Sequence, residues 1–290
     1  MVRGALKAVL RAKRIMPIAM DSQQRSPLGR DTGYPDRYDP RLLFAIDRAG
    51  QRTALGFPAR LPFGGADRWT AYEICWLDDS GRPQLAIGEL SIAADSPATV
   101  ESKSLKLYLG SFAQERLASR QVLASTIGRD LWRVCRAPLE FRLRPATAPP
   151  EVAELPGDSL DGEDVVADAT RPDPGSLAAD GAQTAESLRT ALFRSTCPVT
   201  GQPDYGDLMV SYRGRRIDRA GLLRYLLSYR THAAFHETCV ERIFIDIAAR
   251  CRPQCLTVYA RFVRRGGIDI NPFRSDFEPV PGAWTRTPRQ

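Results

Sequence analysis

LKLYLGSF, Leu105–Phe112, recurs later in the chain as LLRYLLSY, Leu222–Tyr229. Leu105, Tyr108, Leu109, Ser111 and Phe112 of the first copy answer to Leu222, Tyr225, Leu226, Ser228 and Tyr229 of the second. In the first copy the apolar positions follow helical spacing. Ahead of each copy stands a Gly-x-Pro turn, Gly81–Pro83 and Gly201–Pro203, followed by a strand pattern. A shared order over roughly 30 residues argues for two copies of one strand–strand–helix–helix–strand unit. A site between two such units can draw residues from both.

Working outward, TAYEICWLD (Thr70–Asp78) and QLAIGELSIAA (Gln84–Ala94) read as strands joined by a turn at Ser80–Pro83. Val100–Phe112 and Ala113–Trp132 read as two helices, and Glu140–Arg144 as a strand. In the second half, Ser187–Arg194 reads as a short helix and Asp207–Gly214 as a strand. Asp218 is a helix N-cap ahead of the second leucine stripe, and His232–Cys251 is a long amphipathic helix. Cys255–Arg265 is a strand, and Gly266–Ser275 ends in a turn. Residues 23–60 read as an irregular lead-in with a few extended pieces. Residues 149–186, rich in Asp, Glu, Gly, Ala and Pro, read as a linker, with a short strand in Leu160–Val166. The expected organisation is therefore an extension and lead-in over 1–45, one unit over 46–148, the acidic linker, and a second unit over 187–290. The class is α+β.

With 290 residues, 43% hydrophobic and 26% charged, the composition is that of a globular protein. No stretch reaches the about 18 apolar residues of a membrane span. The net charge of +7 is uneven: the middle of the chain is acidic and the last third is rich in arginine. Such a surface attracts nucleic acid or a phosphorylated cofactor. Six cysteines spread through the chain, with no apolar secretory signal, point to free thiols in a reducing cytoplasm. Residues 1–22 carry five basic residues and one acid. Leu6, Val9 and Leu10 would share a face of a short helix, the pattern of a transit peptide or membrane-surface helix. The reading preferred is a solvated tail, or translation from upstream of a true start at Met16 or Met20.

The chemistry concentrates in STCPVTGQPDYG, Ser195–Gly206. Pro198, Gly201 and Pro203 exclude a helix and a central strand, leaving a shaped loop. It presents the thiol of Cys197 and the carboxylate of Asp204. A thiol beside a general base is the minimal equipment for covalent catalysis. The same residues also suit a structural cysteine beside a turn aspartate.

Four segments in one order resolve that choice. ESKSLKLY (Glu101–Tyr108), CPVTGQPD (Cys197–Asp204), FHETCVE (Phe235–Glu241) and YARFVRRGGIDINP (Tyr259–Pro272) resemble the motifs of the long-form 7-cyano-7-deazaguanine reductase family. The resemblance runs from about residue 30 to the C-terminus. It implies a tandem tunnelling fold, antiparallel sheets with helices packed on one face, and a homodimer. It also implies a nitrile reduction that uses NADPH in queuosine biosynthesis, a tRNA modification.

Under that resemblance Cys197 adds to the nitrile carbon to give a thioimide. Asp204 carries the thiol proton to nitrogen, and His236 supplies a further proton. Glu237 takes the N–H edge of the deazaguanine ring, Phe235 stacks on it, and Val100, Glu101, Ser102 and His236 complete the substrate site. Ser102, Lys103, Lys106, Arg264, Arg265 and Gly266 face the cofactor, whose phosphates want cations and close backbone approach. No Gly-x-Gly-x-x-Gly follows a strand, so no Rossmann domain is expected. One rival is a zinc-dependent, cyclohydrolase-like enzyme using His232, His236, Cys239, Cys251 and Cys255. The preferred reading has no metal, because Cys251 and Cys255 straddle a helix-to-strand turn and no second cysteine flanks Cys197. The other rival is an RNA-binding module, but Tyr259 and Phe262 make a poor stacking platform, so no direct nucleic-acid partner is expected.

Overall fold

The computed structural model describes residues 33–148 and 151–290. The N-terminal helix considered around Leu6–Leu10 lies outside the described residues. Two hairpins set the frame. In the first, β2 (Gly64–Leu77) pairs antiparallel with β3 (Pro83–Ala93). Its turn is shaped by Asp78, which accepts from the Ser80 and Arg82 amides at 3.0 Å each, and by Gly81 at φ +83. In the second, β7 (Ala179–Thr196) pairs with β8 (Pro203–Ile217). Here the Cys197 amide donates to the Gln202 carbonyl at 2.9 Å, and Gly201 takes φ +67. Both glycines occupy the left-handed region that a side chain disfavours.

Each hairpin is followed by two helices. In the first half these are α2 (Ser102–Gly110) and α3 (Arg120–Cys135); in the second, α4 (Arg219–Leu227) and α5 (His236–Cys251). A strand then returns: β5 (Leu139–Pro145) beside β3, and β9 (Cys255–Phe262) beside β8. The duplication extends to single bonds. Tyr108 and Tyr225 each donate a hydroxyl at 2.8 Å, to Asp130 and Asp246 of the following helix. Ser111 and Ser228 each bond back to the carbonyl of that tyrosine. Both long helices end on an arginine in the left-handed conformation, Arg136 and Arg252.

The last strand, β10 (Ile268–Ser275), joins the halves. It pairs with β2 along its whole length, from Ile268↔Ala71 to Ser275↔Gly64, and with β9 over Phe273–Ser275. The result is one eight-stranded sheet in the order β5-β3-β2-β10-β9-β8-β7-β6, with β6 (Asp158–Ser159) as a short parallel edge. Packing follows the same exchange. Ile268 and Ile270 of β10 are buried with the first-half core around Trp69, Tyr108 and Leu131, while Phe63 and Ala94 join the second-half core around Tyr225 and Phe244. Each fully buried side chain of this size contributes about 1.5–3 kcal/mol of apolar burial.

Several local readings differ from the structure. Ser187–Arg194, expected as a helix, lies inside β7. An irregularity between Thr190 and Phe193 puts these two residues three apart on the buried side, which imitates helical spacing. Gly266–Ser275, expected to end in a turn, supplies β10 instead. Pairing with β9 begins only after Pro272, so the missing amide there is tolerated. The second helix begins at Arg120 rather than Ala113, because Ser119 caps it by accepting from the Val122 amide at 3.2 Å. α5 begins at His236 rather than His232. Residues 232–234 instead form a bridge to Thr196, with Thr196 N to His232 O at 2.9 Å and Ala234 N to Thr196 O at 3.1 Å. No strand forms within Leu160–Val166, where one was expected; the two-residue β6 lies just before it, at Asp158–Ser159, and residues 179–186 of the expected linker already belong to β7.

The lead-in also contains structure. A short strand, β1 (Ala45–Asp47), pairs with β4 (Ala98–Val100), and a helix, α1 (Arg48–Ala54), follows it. Asp47 caps α1 by accepting from the Gly50 amide at 2.8 Å. Asp218 caps α4 as expected, accepting from the Gly221 amide at 3.1 Å.

Candidate active site

The hairpin register aims the thiol and the carboxylate alike. Asp204 stands opposite Ser195, and Cys197 lies two residues beyond Ser195, so side chains of Cys197 and Asp204 emerge on one face. Both are buried, at 7% and 4% exposure, and both line a cleft between the halves. The cleft holds about 990 Å³ of unfilled space out to its open side. Its walls come from β4 and α2 of the first half, from α1, and from the Cys197 turn, the start of α5 and the β9–β10 turn of the second half.

α5 enters this cleft without a side-chain cap. Phe235 occupies the N-cap position and makes no capping bond, whereas α1 to α4 are capped by Asp47, Glu101, Ser119 and Asp218. The Glu237 amide turns to its own carboxylate, and the positive end of the helix faces whatever binds there. His236 and Glu237 are its first residues. His236 Nε2 lies 3.5 Å from Asp204 Oδ1, and its ring packs on Phe262 at 4.0 Å between centroids.

Asp204 also accepts from Arg265, whose other terminal nitrogen donates to Gln202 Oε1 at 2.5 Å. Burial pushes the Asp204 carboxyl up, but the bonds and charges of His236 and Arg265 outweigh it and hold the group below its usual range. It is therefore ionised at neutral pH and able to accept a proton. Glu237 behaves oppositely. Burial, then the charge of Asp67, raise its carboxyl, only partly offset by His236 and Arg48. No side chain among the described residues pairs with it, and a ligand that donates to it would relieve that cost.

Beneath Glu237 lies a buried ionic cluster. Arg274, fully enclosed, sits 2.8 Å from Asp67 and 2.8 Å from Glu241. Arg52 bonds Glu241 at 2.6 Å and Arg48 bonds Asp67. The cluster ties α1, β2, α5 and β10 together, so the cleft floor spans both halves.

Nine expected site residues line the cleft: Cys197, Asp204, His236, Val100, Ser102, Phe235, Glu237, Lys106 and Arg265. Glu101 does not. Its carboxylate caps α2, accepting from the Lys103 and Ser104 amides at 2.7 and 2.8 Å, so it holds the backbone of the wall rather than facing the cleft. Arg264 lies over the Tyr72 ring at 4.8 Å, and Lys103 is outside the lining. Gly266 adjoins Lys106: a Cβ there would fall 3.2 Å from Lys106 Cδ. Burial, and then Arg265, depress the Lys106 ammonium.

The sequence reading missed Arg48, Gln51 and Arg52, which line the cleft from α1 with Leu55 just beyond its end. Their i, i+3, i+4, i+7 spacing was the available signal, obscured by the surrounding Gly and Pro. Among the described residues, no three His, Cys, Asp or Glu side chains gather as a metal site. Burial depresses the His232 imidazole, and the six cysteines are unbridged.

Residues 34–143 match the family described as nitrile reductase, 7-cyano-7-deazaguanine-reductase N-term, and residues 203–280 match the family described as QueF-like protein. The chain is 52% identical over 272 residues to the NADPH-dependent 7-cyano-7-deazaguanine reductase of Bordetella pertussis, covering 93% of this chain and 100% of that one. It is 50% identical over 274 residues to the protein of the same name from Burkholderia orbicola, covering 92% and 99%. A solved structure, the archaeosine synthase QueF-Like in the apo form, aligns at 18% identity with a TM-score of 0.30, over 34% of this chain and 99% of that one. With half-identical relatives matched along nearly their whole length and a duplicated hairpin–helix–helix–strand unit, the chain belongs to the NADPH-dependent 7-cyano-7-deazaguanine reductase family, on a tandem tunnelling fold.

Proposed function

We propose that this cleft reduces the nitrile of 7-cyano-7-deazaguanine to the primary amine, with NADPH as reductant, through a thioimide on Cys197. One observation carries the reading. A buried thiol, an ionised carboxylate and an unpaired buried carboxylate, Cys197, Asp204 and Glu237, line one cleft between the halves. A nitrile carbon is a weak electrophile, and addition of sulfur turns it into a better hydride acceptor. The Sγ–H bond of Cys197 breaks, sulfur bonds to carbon, and the proton passes through Asp204 to nitrogen. His236, 3.5 Å from Asp204, supplies a further proton to nitrogen as the amine forms.

Glu237 accepts the paired N–H groups of the deazaguanine edge, which satisfies its own buried charge and rejects rings lacking those donors. Phe235 stacks on the ring, and Val100 and Ser102 bound it, with Glu101 keeping their backbone in place. When bound in this cleft, NADPH would supply one hydride per molecule, so two molecules used in turn would give the four electrons from nitrile to amine. The residues present fit a phosphorylated cofactor: Lys106 and Arg265 crowd two cations into one wall, a repulsion that phosphate relieves. In this reading Ser102, Lys103, Arg264 and Gly266 complete the cofactor contacts, Lys103 and Arg264 from outside the cleft lining.

The reading includes the two-unit organisation at 46–148 and 187–290, a homodimer in the cytoplasm and a place in queuosine biosynthesis, with no direct nucleic-acid partner. No helix among the described residues is long and apolar enough to cross a membrane. Intact-mass measurement with 7-cyano-7-deazaguanine and no NADPH tests the chemistry. A gain of one substrate mass in the wild type, absent in Cys197→Ala, supports it; an unmodified wild type overturns the thioimide.

A further inference from the structure

Arg265 is fixed by its own turn. Its amide donates to the Ile268 carbonyl at 2.9 Å, and Gly266 and Gly267 follow at φ +58 and +76, closing β9 onto β10. From there the guanidinium crosses to the catalytic hairpin and divides its terminal nitrogens. One donates to Asp204 Oδ1 and the other, at 2.5 Å, to Gln202 Oε1. Gln202 is the residue whose carbonyl accepts from the Cys197 amide at 2.9 Å. One planar fork thus spans the turn that separates the nucleophile from its base, and a planar fork holds geometry better than a single ammonium.

The two oxygens of Asp204 are used unequally. Arg265 bonds Oδ1, and His236 approaches the same atom at 3.5 Å. Oδ2 accepts no bond among the described residues. Lys106 of α2 and Cys239 of α5 are further titratable groups that interact with Asp204, and the Cys197 thiol lines the same cleft from the turn. Anchoring one oxygen leaves the second to take the thiol proton.

We propose that Arg265 is a positioning residue for Asp204, locking one carboxylate oxygen and the Cys197 turn so that the other oxygen receives the thiol proton during addition to the nitrile. This rests on the thioimide chemistry above. The step balances: Sγ–H breaks, the proton goes to Asp204 and then to the nitrile nitrogen, the carbon–sulfur bond forms, and nothing is oxidised. The duty differs from phosphate binding because it operates with no cofactor present.

Adduct formation in the absence of NADPH separates the two duties. Its rate is followed by intact mass from pH 4 to 9, as a probe range, for wild type, Arg265→Lys, Arg265→Met and Gln202→Leu. Arg265→Met is expected to slow addition by about 100-fold, the scale of an ångström-level misplacement. It should also move the acid limb of the profile to higher pH, since the carboxyl loses the partner that holds it down. Arg265→Lys recovers the position of the limb more than the rate. Gln202→Leu, in an exposed turn, slows addition with an unchanged KM for NADPH. Wild-type addition rates and an unshifted limb in both Arg265→Met and Gln202→Leu overturn the proposal. A wild type that forms no adduct overturns the thioimide reading instead.

Discussion

Lys106 of the first half lies along Gly266 of the second: a Cβ on the glycine would come within 3.2 Å of Lys106 Cδ and 3.3 Å of Cε. The contact closes one wall of the cleft by bringing the lysine of ESKSLKLY onto the RRGG turn. It explains why a bare backbone is needed there, at φ +58. Gly266→Ala is expected to cost about 1–2 kcal/mol from the left-handed conformation alone, seen as a lower urea midpoint. Because the new methyl pushes against Lys106 and strains the turn that carries Arg265, KM for NADPH rises severalfold and adduct formation without NADPH slows as well.

Asp204→Asn removes the proton acceptor and keeps the shape. Addition of Cys197 to the nitrile should fall by about 10²–10⁴-fold, the usual contribution of a positioned base, and thermal stability at neutral pH should fall too, since the depressed carboxyl stabilises the fold when ionised. In the wild type the ionised form is needed. Asp204 is held below the ordinary carboxylate range, so activity is retained through mildly acidic pH and is lost only as pH falls through that depressed value.

Glu237→Gln trades function against stability. The folded Glu237 carboxyl titrates above its unfolded value, driven by burial and by Asp67. The folded state therefore binds that proton more tightly, and its stability declines as pH rises from the unfolded value through the raised one. Glutamine carries no charge to bury. The variant should melt higher at neutral pH, by about 2–4 °C per kcal/mol recovered, yet bind 7-cyano-7-deazaguanine at least tenfold more weakly by calorimetry. The stability difference should shrink on acidification.

Arg274→Met tests the floor of the cleft. It leaves Asp67 and Glu241 buried with one arginine contact fewer each. Breaking such a cluster costs about 3–5 kcal/mol. The folded Asp67 and Glu241 carboxyls both sit below their usual values, so the wild type loses this stabilisation as pH falls through them. Denaturant titrations should show wild type and variant converging in acid.

The duplicated tyrosines give a paired test. Tyr108→Phe and Tyr225→Phe each remove a 2.8 Å bond to a buried aspartate, a loss of about 1.5–3 kcal/mol for a bond to a charged group. Asp130 keeps Tyr38 at 2.5 Å, and Asp246 keeps Arg242 at 2.9 Å. Tyr225→Phe also breaks the 2.8 Å bond between the Tyr225 and Tyr229 hydroxyls, so its loss should be the larger, and the two, being in separate halves, should be additive in the double variant.

Local spacing alone carried much of this protein. Helical periodicity announced α2, α4 and α5; Gly-x-Pro marked both hairpin turns; Asp218 announced its own cap; and the Cys197–Asp204 loop could be picked out before any fold was known. These features depend on neighbours a few residues away, which is why they are legible in the chain. What only the tertiary structure decided depends on partners far along it. Ser187–Arg194 is a strand because β8 lies beside it, and β10 is a strand because β2 offers it a full ladder. α1 acquires its role only when Asp67 and Glu241 meet Arg48 and Arg52. Glu101 caps a helix instead of facing the cleft because the two amides beside it have no other acceptor. Arg265, a cation read for phosphates, reaches across a hairpin to Asp204, a relation set by strand pairing between residues that the chain keeps far apart.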